Sequence, residues 1–274
     1  MPPDSTPAPD RRGNRLAAHL FTNTPDMRRH HLDLRCSDDI AAQFLDLGHC
    51  GVHYRRVDPA GNEWTHRLEA DGPPDPRIRS LADLLQDVIT LRAPSPMSVA
   101  LVLDSYRAPV ADVEPNAWPY TTTADMVRRG KYWKEKPRTV EAAGRWLADR
   151  LGAVLTRHPT LATADVVVVV PGHDRTLLSF GERLAATVGA QHGLIEIRVQ
   201  SRREFRPEAK SRGSDHADDL DGEFSITDQL SGCHALVIDD VVRSGTTLRA
   251  VAKAARAAGA VRISGLVCVR TLRG

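Results

Sequence analysis

Two adjacent acids followed by a small-residue loop form the segment of this sequence that is best suited to chemistry. An apolar run leads into Asp239 and Asp240, and a hydroxyl-rich stretch separates them from a helical pattern. Gly245 permits close backbone approach to a ligand, and N–H groups and hydroxyls at the start of a helix can donate to one phosphate. The segment predicts a phosphate-binding loop made of Arg243, Ser244, Gly245, Thr246 and Thr247.

The two carboxylates need another partner, because they would repel a phosphate. Carboxylates accept hydrogen bonds from sugar hydroxyls and attract Mg²⁺. We therefore expect Asp239 and Asp240 to bind ligand hydroxyls, a divalent cation, or both. A phosphate at one end and a diol at the other describe a ribose 5-phosphate.

Residues 238–248 resemble the signature of the type I phosphoribosyltransferases. That signature is an apolar strand, two acids, a few variable residues, Ser or Thr, Gly, any residue, Thr and an apolar residue. The resemblance implies that Asp239 and Asp240 hold the ribose hydroxyls of 5-phosphoribosyl 1-pyrophosphate and ligate Mg²⁺, while residues 243–247 hold its 5-phosphate. It also implies an α/β fold of the phosphoribosyltransferase type I class, with a mostly parallel sheet flanked by helices.

The family also has a pyrophosphate loop after an earlier strand. Residues 166–170 are all valine, and 171–175 follow at the place of that loop. The resemblance makes Gly172, His173 and Arg175 candidates for binding pyrophosphate. The alternative is an ordinary turn between a strand and a helix.

A charge-dense, almost apolar-free segment, 201–222, is predicted to be a lid over the reacting centre. Arg202, Arg203 and Lys210 are the expected catalytic residues, because cations that arrive with closure would stabilise the negative charge on a pyrophosphate leaving group. The alternative is a solvated loop without a catalytic role.

Over residues 125–272 the sequence is most similar to the ComF-like branch of the family. The shared features are Gly130-Lys131-Tyr132 and the stretches 179–185 and 222–224. The similarity ends at the N-terminus, where ComF proteins carry a four-cysteine zinc module. This chain lacks the usual C-x₂₋₄-C spacing of metal sites there, so no metal is assigned to Cys36, His49, Cys50 and His53.

The pattern of elements divides the chain into three parts. Residues 1–28 are proline-rich and polar and are expected to be a disordered tail. Residues 29–123 suggest a smaller, mixed α+β region of unknown role, and 124–274 the phosphoribosyltransferase-like domain. Apolar strands alternating with helices indicate a parallel sheet, whose expected strands include 166–170, 194–199, 234–239 and 262–269.

The amino-acid composition limits which classes of partner this protein is expected to bind. The 274 residues carry 37 Lys and Arg against 35 Asp and Glu, a formal charge of +2, so nucleic-acid binding is not expected. The absence of a long apolar run and the four widely spaced cysteines favour a cytoplasmic protein without a membrane partner. The sequence leaves open whether the protein forms a homodimer.

Two functions are compatible with these residues. One is transfer of the phosphoribosyl group to a nitrogen nucleophile with release of pyrophosphate. The other is a regulator or ComF-like accessory protein that binds 5-phosphoribosyl 1-pyrophosphate without turnover. Arg243 stands where the 6-oxopurine transferases have an acid, which argues against that acceptor and leaves the acceptor unknown. Four aromatic residues are candidates for stacking on an acceptor base or for sealing a core: Trp118, Tyr120, Tyr132 and Trp133.

Overall fold

A computed structural model describes residues 13–26, 28–59, 61–132, 136–172, 178–202, 220 and 222–271. The chain forms two compact units, Met1–Arg92 and Ala93–Gly274. The elements of the first unit are β1 (Gly13–Asn14), β2 (Ala18–Asn23), β3 (Arg29–Arg35), α1 (Asp38–Leu45), β4 (Arg55–Val57), β5 (His66–Asp71), α2 (Pro76–Asp87) and β6 (Ile89–Leu91).

The first unit is built on a four-stranded antiparallel sheet with the strand order β2-β3-β5-β4, and β1 pairs with β6. Alternate residues of β3 are apolar, which buries Leu32 and Leu34 in a core shared with Ile40 and Phe44 of α1. The sheet and its helices agree with the mixed α+β character that the sequence predicted for this region.

Local capping sets the position of α2. The Asp75 side chain accepts a hydrogen bond from the Arg77 N–H, and Pro76 occupies the first turn, where no N–H is needed. The helix therefore begins at residue 76, and β6 follows shortly after its end.

The face of β5 opposite the core carries a buried carboxylate. Glu69 accepts hydrogen bonds from Arg55 Nε at 2.9 Å and Arg29 Nη1 at 3.2 Å, and His31 Nε2 lies 2.9 Å away. Hydrogen bonds from Arg55 and His31 lower the pKa of Glu69 to about 2. The carboxylate thereby stays charged on a sheet face that would otherwise disfavour it.

The second unit contains the larger sheet. Its elements are β7 (Val99–Ser105), α3 (Thr122–Tyr132), α4 (Pro137–Arg157), β8 (Val166–Val169), α5 (Phe180–His192), β9 (Ile195–Arg198), β10 (Gln200–Ser201), β11 (Phe224–Ser225), β12 (His234–Val242), α6 (Thr246–Ala257) and β13 (Arg262–Arg270).

Five strands of this unit pair in parallel in the order β7-β13-β12-β8-β9. All four valines of β8 are buried, as expected for a strand covered on both faces. The predicted α/β class, a mostly parallel sheet flanked by helices, is confirmed, and the four strands expected from the sequence are β8, β9, β12 and β13. β10 and β11 form a separate antiparallel pair.

Two boundaries differ from the sequence-based expectation. The division between the units lies at residues 92 and 93, not at 123 and 124, because β7 pairs in parallel with β13 and so belongs to the larger sheet. Within the expected tail, β2 is a strand that pairs antiparallel with β3. β7 and β13 lie far apart in the sequence, and β2 lies in a segment with many polar residues. Local composition therefore reveals neither pairing.

None of the helices in the described part of the chain combines the length and the apolar character that crossing a bilayer requires.

The Glu69 cluster predicts a specific pH dependence of folding. A carboxyl whose folded pKa lies at about 2, below its usual 4.5, contributes stability that is fully present above 4.5 and is lost as the pH falls toward 2. In Glu69→Gln, the free energy of unfolding from urea titrations should therefore fall less steeply over that interval than in the wild type. The exposed Glu63→Gln serves as the matched control and should keep the wild-type slope. Parallel curves for all three proteins would contradict the assignment.

Candidate functional site

The acid pair lies where the central strand extends beyond its neighbour. β12 pairs with β8 only as far as Ile238, whereas its pairing with β13 continues to Val242. Asp239 and Asp240 therefore follow the end of β8, at the carboxyl edge of the sheet. This edge is where the loop after β8 and the loop after β12 both leave the sheet.

The topology makes this edge a crevice. β8 connects through α5 to β9 on one side, and β12 connects through α6 to β13 on the other. Adjacent strands whose crossovers run in opposite directions define a topological switch point, and α/β sheets bind ligands outside the carboxyl ends of the strands at such a point. The predicted phosphate loop and Gly172, at the start of the predicted pyrophosphate loop, both follow strands that end at this edge.

Asp240, on β12, is buried and forms an ion pair with a lysine of α3. Lys131 Nζ, in the last turn of α3, lies 3.1 Å from Asp240 Oδ1 and 3.0 Å from Asp240 Oδ2. Burial by itself lowers the pKa of Lys131, but the charges of Asp240 and Asp239 and the hydrogen bond to Asp240 outweigh it, so the pKa is raised. The carboxylates therefore favour the ammonium form of Lys131.

The carboxylates create a negative local field. Asp239 Oδ1 accepts a hydrogen bond from the Asp240 N–H at 2.8 Å, which orients the first side chain along the strand. The fully buried thiol of Cys268, on the adjacent β13, has a pKa well above its usual value because of burial and the two nearby carboxylates. Lys131 is thus the cation that offsets part of this field.

The first turn of α5 lies against the acid pair. A Cβ on Gly181 would lie 3.6 Å from Asp239 Oδ1 and from Asp240 Cγ, a distance of ordinary contact. The turn is fixed by a capping box, in which Ser179 Oγ accepts from the Glu182 N–H and Glu182 Oε2 accepts from the Ser179 N–H at 2.6 Å. The amino end of α5 is therefore held at the crevice.

Phe180 connects α5 to the helix that carries Lys131. Its ring lies so close to Gly130 of α3 that a Cβ there would be 2.2 Å from the ring carbons Cε2 and Cζ. On α4, a Cβ on Gly144 would lie 3.8 Å from the same ring. Gly130 is needed for this close approach, and the residue after it is Lys131.

The loop after β12 has the form of a helix N-terminus. Gly245 has a φ of +79°, which favours glycine, and it is the N-cap of α6. Ser244 and Thr246 share a hydrogen bond of 2.9 Å between their hydroxyls, and the side chains of Arg243 and Ser244 are exposed. Thr246 and Thr247 form the first turn of α6, as the sequence predicted.

The remaining predicted site residues are placed only in part. Gly172 lies at the start of the loop after β8, where a Cβ would be 2.6 Å from Ser179 Cβ, so the loop returns closely onto the cap of α5. Arg202 follows β10, and its N–H donates to the carbonyl of Glu223 at 3.0 Å. Four of the predicted site residues lie outside the described part of the chain: His173, Arg175, Arg203 and Lys210.

Lys131 is the site residue that the sequence did not reveal as one. The sequence shows Lys131 only as part of Gly130-Lys131-Tyr132, and its partner Asp240 is 109 residues further along the chain. A lysine in the last turn of a helix is common as a solvated residue that complements the helix dipole. The glycine before it, in the middle of a helical pattern, was the available signal of a close contact.

Two of the other candidate residues, Cys36 and Tyr120, have described contacts of their own. Cys36 Sγ lies 3.7 Å from His66 Nδ1, and burial raises its pKa to about 12. Among the described residues, no group of three or more His, Cys, Asp or Glu is arranged to hold a metal ion. Tyr120 packs edge-on against Tyr106, with the guanidinium of Arg128 4.1 Å from its ring centroid.

No protein-family model and no curated protein matches the sequence. Among solved structures, the chain is similar to an orotate phosphoribosyltransferase from Aeropyrum pernix, with a TM-score of 0.32 and 22% identity over 47% of this chain and 60% of that one. It is also similar to a purine phosphoribosyltransferase from Pyrococcus horikoshii Ot3, with a TM-score of 0.29 and 20% identity over 44% of this chain and 71% of that one. The match thus spans less than two thirds of the first protein, and neither is described as ComF-like.

The Phe180 contact predicts opposite effects for two helix glycines. Gly130→Ala should destabilise the protein by about 1–3 kcal/mol, because the new methyl overlaps a buried ring and this outweighs the better helix propensity of alanine. Gly144→Ala, facing the same ring at an ordinary distance, should be neutral or stabilising by up to about 1 kcal/mol. Urea unfolding monitored by circular dichroism measures both. Equal effects of the two substitutions would show that ring contact at Gly130 is not the constraint.

Proposed function

We propose that this protein binds 5-phosphoribosyl 1-pyrophosphate in the crevice at the carboxyl ends of β8 and β12, and transfers the phosphoribosyl group to a nitrogen nucleophile. The observation that carries the proposal is the direct succession, at this edge, of an acid pair and a glycine loop that opens α6. A diol and a phosphate on one ribose fit those two groups. The proposal rests on this chemistry and on the sequence signature.

The loop that opens α6 is the binding site proposed for the 5-phosphate. Charge-assisted hydrogen bonds from N–H groups and hydroxyls contribute about 1.5–3 kcal/mol each. About four such bonds from residues 244–247, aided by the helix dipole, would contribute roughly −6 to −12 kcal/mol before the cost of association is deducted. The exposure of Ser244 and the positive φ of Gly245 leave this loop accessible to a ligand.

Asp239 and Asp240 are the proposed acceptors for the ribose hydroxyls. A carboxylate offers about four lone-pair positions. The N–H of Asp240 takes one position on Asp239, and the ammonium of Lys131 takes one on each oxygen of Asp240. These bonds hold the two side chains in a fixed orientation, in which they are proposed to accept from the ribose hydroxyls.

The amino end of α5 and the start of the loop after β8 are proposed to face the pyrophosphate. Breaking the bond between ribose and pyrophosphate places positive charge on the sugar and negative charge on the leaving group. The helix dipole at the amino end of α5 favours the negative charge, and the two carboxylates favour the positive charge on the sugar. The fixed arrangement of these groups avoids reorganisation during the reaction.

Mg²⁺ enters the proposal with the pyrophosphate. Mg²⁺ sites commonly combine one or two carboxylates with substrate phosphates and water, and the ion supplies neutralisation of the leaving-group charge. Asp240 does not fit as a ligand, because both of its oxygens already contact Lys131. Asp239 keeps the donor chemistry that the ion prefers.

A regulator that binds the same ligand without turnover is the second candidate. The side chain of Arg243 is exposed at the loop and is a cation, so it supplies no base for a 6-oxopurine acceptor. Binding and turnover must therefore be measured separately.

Calorimetry tests the binding part of the proposal. Wild-type protein should bind 5-phosphoribosyl 1-pyrophosphate in the presence of Mg²⁺, and the double variant Asp239→Asn/Asp240→Asn should lose at least about 2 kcal/mol, roughly a 30-fold weaker affinity. The reason is that neutral amides accept hydrogen bonds from hydroxyls more weakly than carboxylates do. Asp228→Asn, at an exposed acid of the same unit, is the control and should bind as the wild type. Equal affinity of the double variant and the control would refute the ribose assignment.

Release of pyrophosphate distinguishes the two candidate functions. The wild type is incubated with 5-phosphoribosyl 1-pyrophosphate, Mg²⁺ and a panel of nucleobases and simple amines. Release that depends on one acceptor, and that is lost in the double aspartate variant, supports the transferase. Tight binding with no acceptor-dependent release supports the regulator.

A further inference from the structure

The ion pair between α3 and β12 bears on how this site treats metal ions. Asp240 is buried, and its two oxygens lie 3.1 and 3.0 Å from one ammonium group. A buried charge without a partner is strongly destabilising, so a carboxylate at this position needs a cation whether or not a ligand is present. Here the cation belongs to the chain.

We propose that Lys131 is a built-in counter-ion of Asp240 that takes the place of a divalent cation, so that the ribose 5-phosphate half of the ligand binds without metal. The inference rests on the proposed function of this crevice. It assigns any Mg²⁺ requirement to the pyrophosphate half alone. Lys131 is thus a positioning residue, which acts through Asp240.

The packing around α3 keeps the ammonium in place. Gly130 fits against the buried ring of Phe180, so the last turn of α3 cannot move toward or away from β12 without breaking this contact. At the next residue of α5, Gly181, an added Cβ would lie 3.6 Å from Asp240 Cγ. One short segment of α5 thus fixes both the helix that carries the cation and the space around the carboxylate.

A divalent cation on Asp240 would be unfavourable in this arrangement. Mg²⁺ requires near-octahedral coordination at about 2.0–2.1 Å and keeps several of its water molecules. An ion at that distance from an oxygen of Asp240 would lie close to the ammonium of Lys131, and the two positive charges would repel in a partly buried site. An ammonium needs no such shell, and its third N–H can donate to another oxygen.

Binding of ribose 5-phosphate, which lacks the pyrophosphate, provides the experiment. The wild type should bind it with the same affinity in EDTA and in millimolar Mg²⁺, as measured by calorimetry. A requirement for Mg²⁺ in the wild type would overturn the inference while leaving the proposed ribose site intact. If ribose 5-phosphate and 5-phosphoribosyl 1-pyrophosphate both fail to bind under all conditions, the proposed function itself is wrong.

Variants at Lys131 separate the counter-ion role from a merely structural one. In EDTA, Lys131→Met should bind ribose 5-phosphate about tenfold more weakly or worse, because Asp240 loses its compensating charge. Mg²⁺ should restore part of this loss, since the ion can now approach Asp240, and Lys131→Arg should stay within about threefold of the wild type because it keeps a cation.

Lys253→Met, at an exposed lysine of α6, is the matched control and should bind as the wild type in both buffers. Wild-type affinity of Lys131→Met in EDTA would overturn the inference. The inference would also be overturned if Lys131→Met and Lys131→Arg both lost affinity for ribose 5-phosphate and Mg²⁺ did not restore it. If Lys131→Met fails to fold, the Mg²⁺ independence of the wild type and the affinity of Lys131→Arg still decide the question.

Discussion

A charged carboxylate buried at the end of a central parallel strand imposes a requirement on everything around it. Asp240 lies beyond the last residue that pairs β12 with β8, where the sheet stops supplying backbone partners on that side. Its charge is stabilised by Lys131, which comes from a helix on a different part of the chain. The position of α3, the glycine that lets it approach α5, and the first turn of α5 all depend on satisfying this one group.

Small residues at this site serve to bring charged groups together. Gly130 admits the ring of Phe180, Gly172 admits the cap of α5, and Gly181 leaves room beside both carboxylates. A methyl group on Gly130 or Gly172 would overlap its neighbour, whereas one on Gly181 would lie at ordinary contact distance from the carboxylates. The result is a site with rigid surroundings, in which the acids, an ammonium and two helix N-termini are oriented before a ligand arrives.

The smaller unit uses similar electrostatics for a different purpose. Glu69 and Asp33 are buried on the sheet face opposite the apolar core, and arginines from neighbouring strands cover them. Arg67 binds both oxygens of Asp33, at 2.6 and 2.8 Å. These ion pairs join strands of the same sheet. The cation that pairs with Asp240 instead comes from a helix, and the pair lies at the proposed ligand site.

The sequence by itself determined the parts of this protein that depend on neighbours along the chain. The runs of buried valine and isoleucine determine β8 and β12, and the Ser244-Gly245-Thr246 step determines where α6 begins, because strand burial and helix capping are local properties. The acid pair and the phosphate loop adjoin each other in sequence, so their proximity needed no tertiary information.

Only the tertiary structure decided that β7 joins the larger sheet and that Lys131 faces Asp240. Both depend on partners more than a hundred residues away, β13 in the first case and β12 in the second. A periodic pattern states that a strand or helix exists and which face is apolar, but not which other element it meets. Close packing across Gly130 and Phe180, together with the cost of leaving a buried carboxylate without a cation, selects that arrangement.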